Sequence, residues 1–236
     1  MTVDVRRADQ RFVTRGQALE SRHSFSFGRH YDPGNTSYGL LLLHDEHLLQ
    51  PGAGFPSHPH RDLEIVSWVL EGALVHENSS GGSGRLGPGS VQVTSAGSGI
   101  RHAETAARDG GTRFVQMWLP PDVAGRRPSH EQRRMDLPPG LLVPVASGRP
   151  GHAKAVRIGT GQAALHAARL EPGQAVALPA APYLHLYVAR GSVRLAAAGG
   201  LAQGDTARMT TTDGPRVVAS TAAELLVWEM HAAIGA

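Results

Sequence analysis

Two short patterns place metal-binding side chains in phase. His58-Pro59-His60 sets two imidazoles at i and i+2, and His102-Ala103-Glu104 repeats the spacing with an imidazole and a carboxylate. On a strand, residues two apart point to one face. If the two strands lie side by side, all four groups converge. Three neutral nitrogens and one carboxylate oxygen suit a borderline divalent cation such as iron, nickel, manganese or zinc. Four protein ligands leave one or two positions of an octahedral ion open to water, O2 or substrate, which suits catalysis better than a closed structural site. Glu64 follows His60 by four residues. Along a regular strand it is also in phase, so periodicity alone allows either carboxylate to reach the ion.

These residues must be held by strands. The 236-residue chain carries 29 glycines and 16 prolines, with only 5% aromatics. Frequent turn residues between short apolar runs favour an all-β protein. Segments such as Glu64 to Leu70 and Ser90 to Val93 read as strands by β-branched content and partial alternation. Between Leu119 and Gly140 the texture turns to Pro, Arg and polar residues, which reads as a linker with a short helix around Ser129 to Met135.

The two halves share a pattern. Pro51-Gly52, Glu71-Gly72 and Leu86-Gly87-Pro88-Gly89 are echoed in order by Pro172-Gly173, Arg190-Gly191 and Leu201-Ala202-Gln203-Gly204. A repeat of this size predicts a duplicated domain. The expected division is residues 1–119, a linker at 120–136, and residues 137–236. Counting from the shared turns, Pro179 and Ala181 stand where His58 and His60 do, and Val217 and Ala219 replace His102 and Glu104. One metal per chain is expected, in the first half. His185 reads as an isolated core or surface residue.

Composition excludes several classes. The net charge is only +3, with Lys154 the single lysine and no basic stripe, so no nucleic-acid footprint is visible. There is no cysteine, which removes disulfides, thiolate sites and a Cys nucleophile. The N-terminal run lacks the apolar core of a signal peptide, and Leu40 to Leu43 is far too short to span a membrane. A cytoplasmic protein without membrane contact is expected. Gly159-Thr160-Gly161-Gln162-Ala163-Ala164 fits a dinucleotide fingerprint on paper, but a strand and turn follow it where a helix is needed. Gly81 to Gly84 has no Gly-Lys-Ser/Thr after it, and no Gly-x-Ser-x-Gly elbow supports an esterase.

The wider context carries a family resemblance. Gly52, His58, His60 and Glu64, with Gly72 ending the next strand, resemble the first cupin motif, the last spacing being one residue longer. The run from Gly54 to Ser67, the run Leu70 to Leu74, and the run from Gly89 to Glu104 resemble the pirin family; so do His23 to Gly28, Tyr31-Asp32-Pro33 and Phe114 to Pro120. Ser95 departs from the Met or Thr common there, outside the ligand set. The resemblance implies an all-β fold of two cupin (jelly-roll-like) barrels, a bicupin, as in the short bacterial members. It implies His58, His60, His102 and Glu104 as metal ligands, with Fe(II) first and Ni, Mn, Co or Zn as alternatives. Glu104 takes the place that Glu64 holds in many other cupins; Glu64 is then a supporting or alternative ligand. The implied activity is quercetin 2,3-dioxygenase, with a flavonol and O2 as substrates and Glu104, or as the alternative Glu64, as proton acceptor. The alternative is a redox-sensing regulator that acts through a protein partner. Phe25, Phe27 and Trp118 are candidates for the pocket wall.

Overall fold

The computed structural model describes residues 2–196 and 198–235. In chain order the first part carries β1 (Thr2–Arg6), β2 (Phe12–Arg15), β3 (Leu19–His23), β4 (Leu43–Leu49), β5 (Gly54–His60), β6 (Glu64–Glu71), β7 (Leu74–Asn78), β8 (Ser83–Leu86), β9 (Ser90–Ser95), β10 (Ile100–Ala106), β11 (Thr112–Leu119) and β12 (Ser129–Arg134). The second part carries β13 (Val143–Ser147), β14 (Val156–Arg157), β15 (Ala163–Leu170), β16 (Ala175–Ala177), β17 (Tyr183–Arg190), β18 (Ser192–Leu195), β19 (Gly199–Ala202), β20 (Thr206–Thr210), β21 (Arg216–Ala219) and β22 (Ala223–Met230). A single 3-10 turn, Ala8–Gln10, is the only helical element among the described residues.

The strands build two cupin barrels, each from a large and a small sheet. The first barrel orders its small sheet β5-β10-β7-β8, and the second repeats this as β16-β21-β18-β19. The large sheets run β12-β9-β6-β11-β4-β3-β2 and β1-β20-β17-β22-β15-β13-β14. The order of pairing matches position by position through the first six strands, as duplication predicts.

Two edge strands differ from the sequence reading. Residues 129–134, expected as a helix inside a linker, form β12 and pair antiparallel with β9. Only His130 is half-buried, its Nδ1 meeting Thr94 Oγ1 at 3.2 Å, while the other residues of the strand are exposed. Pairing to β9 along one side leaves the other edge to solvent, which a polar and charged run tolerates. At the other extreme, β1 pairs with β20 in the second barrel's sheet, not with the first barrel. β12 thus lies within the stretch 120–136 expected as a linker, and β1, within 1–119, pairs in the other large sheet.

The barrels meet face to face through their large sheets. Along β6, Val66, Trp68 and Leu70 join one apolar core with Leu165, Leu226 and Trp228 of the second barrel. The alternate residues point into the first barrel, where Val69 packs with Leu49, Leu74 and Phe114. Burial on both faces explains why β6 reads as a near-continuous apolar run. The interior of the second barrel is filled by Leu184, Leu186, Val188, Val217 and Val227. Apolar side chains occupy the space that the first barrel gives to polar ones.

A buried ion cluster backs the first barrel at this interface. Glu46 accepts from Arg113 Nε at 2.5 Å and from Arg11 Nη1 at 3.2 Å. Arg113 Nη2 continues across to the Ala189 carbonyl oxygen at 2.8 Å. Removing one partner of a buried cluster strands the others, so Glu46→Ala is expected to cost about 3 kcal/mol of stability, read by denaturant unfolding. Metal content should not change, because Glu46 points out of the barrel that holds the candidate site. A loss below about 1 kcal/mol would show that the cluster is solvated.

Candidate metal centre

β5 and β10 lie side by side in the small sheet, with His102 opposite His58. A register shift between His102 and Glu104 sets Glu104 opposite Phe55 and brings Gly54 onto the Glu104 backbone. A Cβ at Gly54 would lie 2.1 Å from the Glu104 carbonyl oxygen, so only glycine permits this approach. β10 alternates buried and more open residues, and His102 and Glu104 share its buried phase.

The three imidazoles form a near-equilateral triangle. Ring centroids are 4.7 Å apart for His58–His60, 4.7 Å for His58–His102 and 4.8 Å for His60–His102. One ligand atom from each lies within 4.8 Å of the others. His58 Nδ1 donates to the Pro56 carbonyl oxygen at 2.8 Å, which fixes the tautomer and leaves Nε2 as an acceptor. His60 Nε2 and both nitrogens of His102 are buried without a hydrogen-bond partner. Burial lowers His60 to about 4, with help from His58. Burial and the neighbouring histidines lower His102 to about 3. Neutral, inward-facing imidazoles with unpaired nitrogens are the donor set that a divalent ion requires.

Glu104 sits deeper. It is fully buried and forms a second group of potential ligands with His102 and His76, so His102 is common to both groups. Its Oε1 accepts from Ser67 Oγ at 3.2 Å and from Gln92 Nε2 at 3.0 Å, and its Oε2 accepts from Gln116 Nε2 at 2.5 Å. Burial pushes the carboxyl up to about 7, against the pull of these three donors. Glu104 lines the same cavity as His58 and His60.

Glu64 goes elsewhere. The chain turns at Asp62, whose φ is 49°, so β5 ends and β6 begins in the other sheet. The phase counted from His60 does not survive that turn. Glu64 faces the groove between the barrels, bonded by Ser95 Oγ at 2.6 Å and by the Gly159 backbone. Glu64→Gln is expected to keep full metal content by elemental analysis. Metal lost from this variant would contradict the placement.

Several partners were invisible as a motif. His76, on β7 opposite Glu104, is held by Gln92 Nε2 at 3.1 Å and Asn78 Nδ2 at 3.2 Å. His130 stacks on it with centroids 4.4 Å apart and rings 3° from parallel. Gln92, Gln116 and Ser67 each interrupt an apolar strand with a polar residue, the one local signal that they carried. Of the expected wall residues, Phe27 and Trp118 line the cavity. Phe25 instead joins the core between the barrels, under the Arg208 guanidinium. His185 is buried in the same region, 4.7 Å from the His44 ring and away from the triangle.

The cavity above the triangle has a volume of about 470 Å³. Its walls are mainly apolar, from Leu19, Leu43, Phe27, Phe55 and Trp118. That size and lining suit a small organic ligand. Among the described residues, no helix is long and apolar enough to cross a membrane.

Comparison with known proteins agrees with this architecture. The pirin family model matches residues 5–119. A protein of Mycobacterium tuberculosis H37Rv named "Putative quercetin 2,3-dioxygenase" is 49% identical over 239 residues, covering 99% of this chain and 97% of its own. The quercetin 2,3-dioxygenase of Escherichia coli K12 is 36% identical over 152 residues, covering 64% of this chain and 66% of its own. The crystal structure of the bacterial pirin YhhW from E. coli in complex with nickel(II) superposes with a TM-score of 0.89 at 26% identity, covering 98% of this chain and all of that one. Full-length relatedness, the matched family model and the doubled barrel together establish that the chain belongs to the pirin family.

Proposed function

We propose that this protein is a metal-dependent dioxygenase that cleaves a flavonol such as quercetin at the 2,3-bond, with release of carbon monoxide. The observation that carries the reading is the triangle of unpaired imidazoles at one end of an apolar cavity, with a buried carboxyl beside it. His58, His60, His102 and Glu104 are the proposed ligands of one divalent ion, Fe(II) first, with Ni, Mn, Co and Zn as alternatives. The bound ion would supply Lewis acidity toward the substrate's 3-hydroxyl and an electronic path to O2.

The chain's own residues do the rest. Phe55 and Trp118, both on the cavity wall, offer apolar surface to a flat ring system and keep water from it. Glu104, beside the triangle and held by Ser67, Gln92 and Gln116, is the carboxylate placed to take the 3-hydroxyl proton. The proton goes to a carboxyl oxygen, and the electron pair left on the substrate oxygen enriches the ring carbon that O2 attacks. Ser67, Gln92 and Gln116 hold the carboxyl in place throughout.

Anaerobic reconstitution with each metal, followed by oxygen uptake and carbon monoxide release with a flavonol panel, tests the reading. Stoichiometric uptake with at least one flavonol is expected. A fully loaded protein that consumes no oxygen with any flavonol would overturn it and favour the regulatory alternative.

A further inference from the structure

The wall of the cavity formed by β3 and β4 is also polar, and the proposed chemistry does not use it. Asp45 on β4 and His23 on β3 are register partners, and both line the cavity. His23 Nδ1 donates to Asp45 Oδ2 at 2.6 Å, and its Nε2 meets Thr14 Oγ1 at 2.9 Å. Asp45 is 1% exposed, yet its second oxygen, Oδ1, is buried without a hydrogen-bond partner. Buried polar atoms are overwhelmingly paired, so an unpaired acceptor on a cavity wall marks where a ligand brings a donor.

Asp45 stands opposite Gln116 across β4 and β11, and a row of aromatic rings runs from beside His23 to the triangle. The Phe27 ring lies 5.5 Å from that of His23 and 5.9 Å from that of Trp118, which in turn lies 5.1 Å from His60. A flat ligand anchored at the triangle and lying against Trp118 and Phe27 shares its cavity with the wall that carries His23 and Asp45.

We propose that Asp45 is a specificity-determining residue: its free oxygen accepts a hydrogen bond from a hydroxyl on the substrate ring remote from the metal-binding oxygen. His23 is a positioning residue that fixes the carboxyl through Oδ2. The substrate class narrows to polyphenols with a free distal hydroxyl. A ligand lacking that hydroxyl leaves the buried oxygen unpaired and is rejected. The inference rests on the flavonol reading for the identity of the ligand.

The test is an anaerobic titration of nickel(II)-loaded, full-length protein with quercetin and with 3-hydroxyflavone, which lacks every distal hydroxyl. Wild type should prefer quercetin by at least about tenfold, as expected of a hydrogen-bonded site. Asp45→Ala should bring the ratio of the two affinities toward one. Asp45→Leu, which keeps the branched shape without any hydrogen-bonding atom, should move it in the same direction if the alanine variant folds poorly. A wild-type ratio near one, or the same ratio in wild type and variants, overturns the inference. Oxygen uptake on the same panel, with the protein reconstituted with each metal in turn, separates the two readings. An Asp45-dependent preference without turnover leaves this inference standing and removes the dioxygenase. Turnover with an Asp45-independent preference does the reverse. Failure of both ligands to bind removes both.

Discussion

The His102→Ala protein should emerge from metal reconstitution essentially empty. His102 belongs to both groups of potential ligands and has both ring nitrogens unpaired. Its loss leaves only two members of each group, and His76 is bonded through both of its nitrogens. Loss of an outer partner of a metal ligand typically costs 10–100-fold, so loss of the ligand itself should cost at least about 100-fold in affinity. His58→Ala should behave alike. His185→Ala should retain about one ion per folded chain, since its ring packs against His44 between the barrels. Inductively coupled plasma analysis decides: two ions per chain in wild type, or unchanged content in His58→Ala, would contradict the single centre.

Glu104→Gln should abolish turnover, for a reason particular to its surroundings. The carboxyl receives three donors, two of them side-chain amides. A glutamine must present an NH2 to one edge of that cradle, where it meets another N–H. Turning Gln92 to relieve the clash would give up its bond to His76. The substitution thus removes an anionic ligand and a proton acceptor and disorders the groups behind them. General-base loss alone accounts for a drop in kcat/KM of about 10²–10⁴-fold. Metal binding should weaken as well. Glu64→Gln, made in parallel, should retain metal. The reverse ranking would mean that the wrong carboxylate had been assigned.

The candidate site was legible because its chemistry is local. Two i, i+2 pairs on strands need only the period of a strand to aim them, and the structure brings all three histidines together. Glu64 was ambiguous for the same reason: the count from His60 assumes an unbroken strand, and the turn at Asp62 breaks it. The supporting residues were not legible. Gln116 and Ser67 face each other across β11 and β6, and Gln92 faces Ser67 across β9, pairings fixed by sheet order and not by spacing. The doubled barrel showed through its repeated turn glycines, many of which hold φ near +70° to +90°. The edge strands did not. β12 hides in a Pro- and Arg-rich stretch without apolar residues, and β1 pairs with a strand some two hundred positions away.

The most direct test is a crystal structure of the iron-loaded protein with anomalous difference density measured at the metal edge. One peak per chain is predicted, enclosed by His58, His60 and His102, with a Glu104 oxygen completing the protein ligands and Glu64 still bonded to Ser95. A peak elsewhere, or a centre in which Glu64 coordinates while Glu104 stays turned toward Gln92 and Gln116, would contradict the assignment.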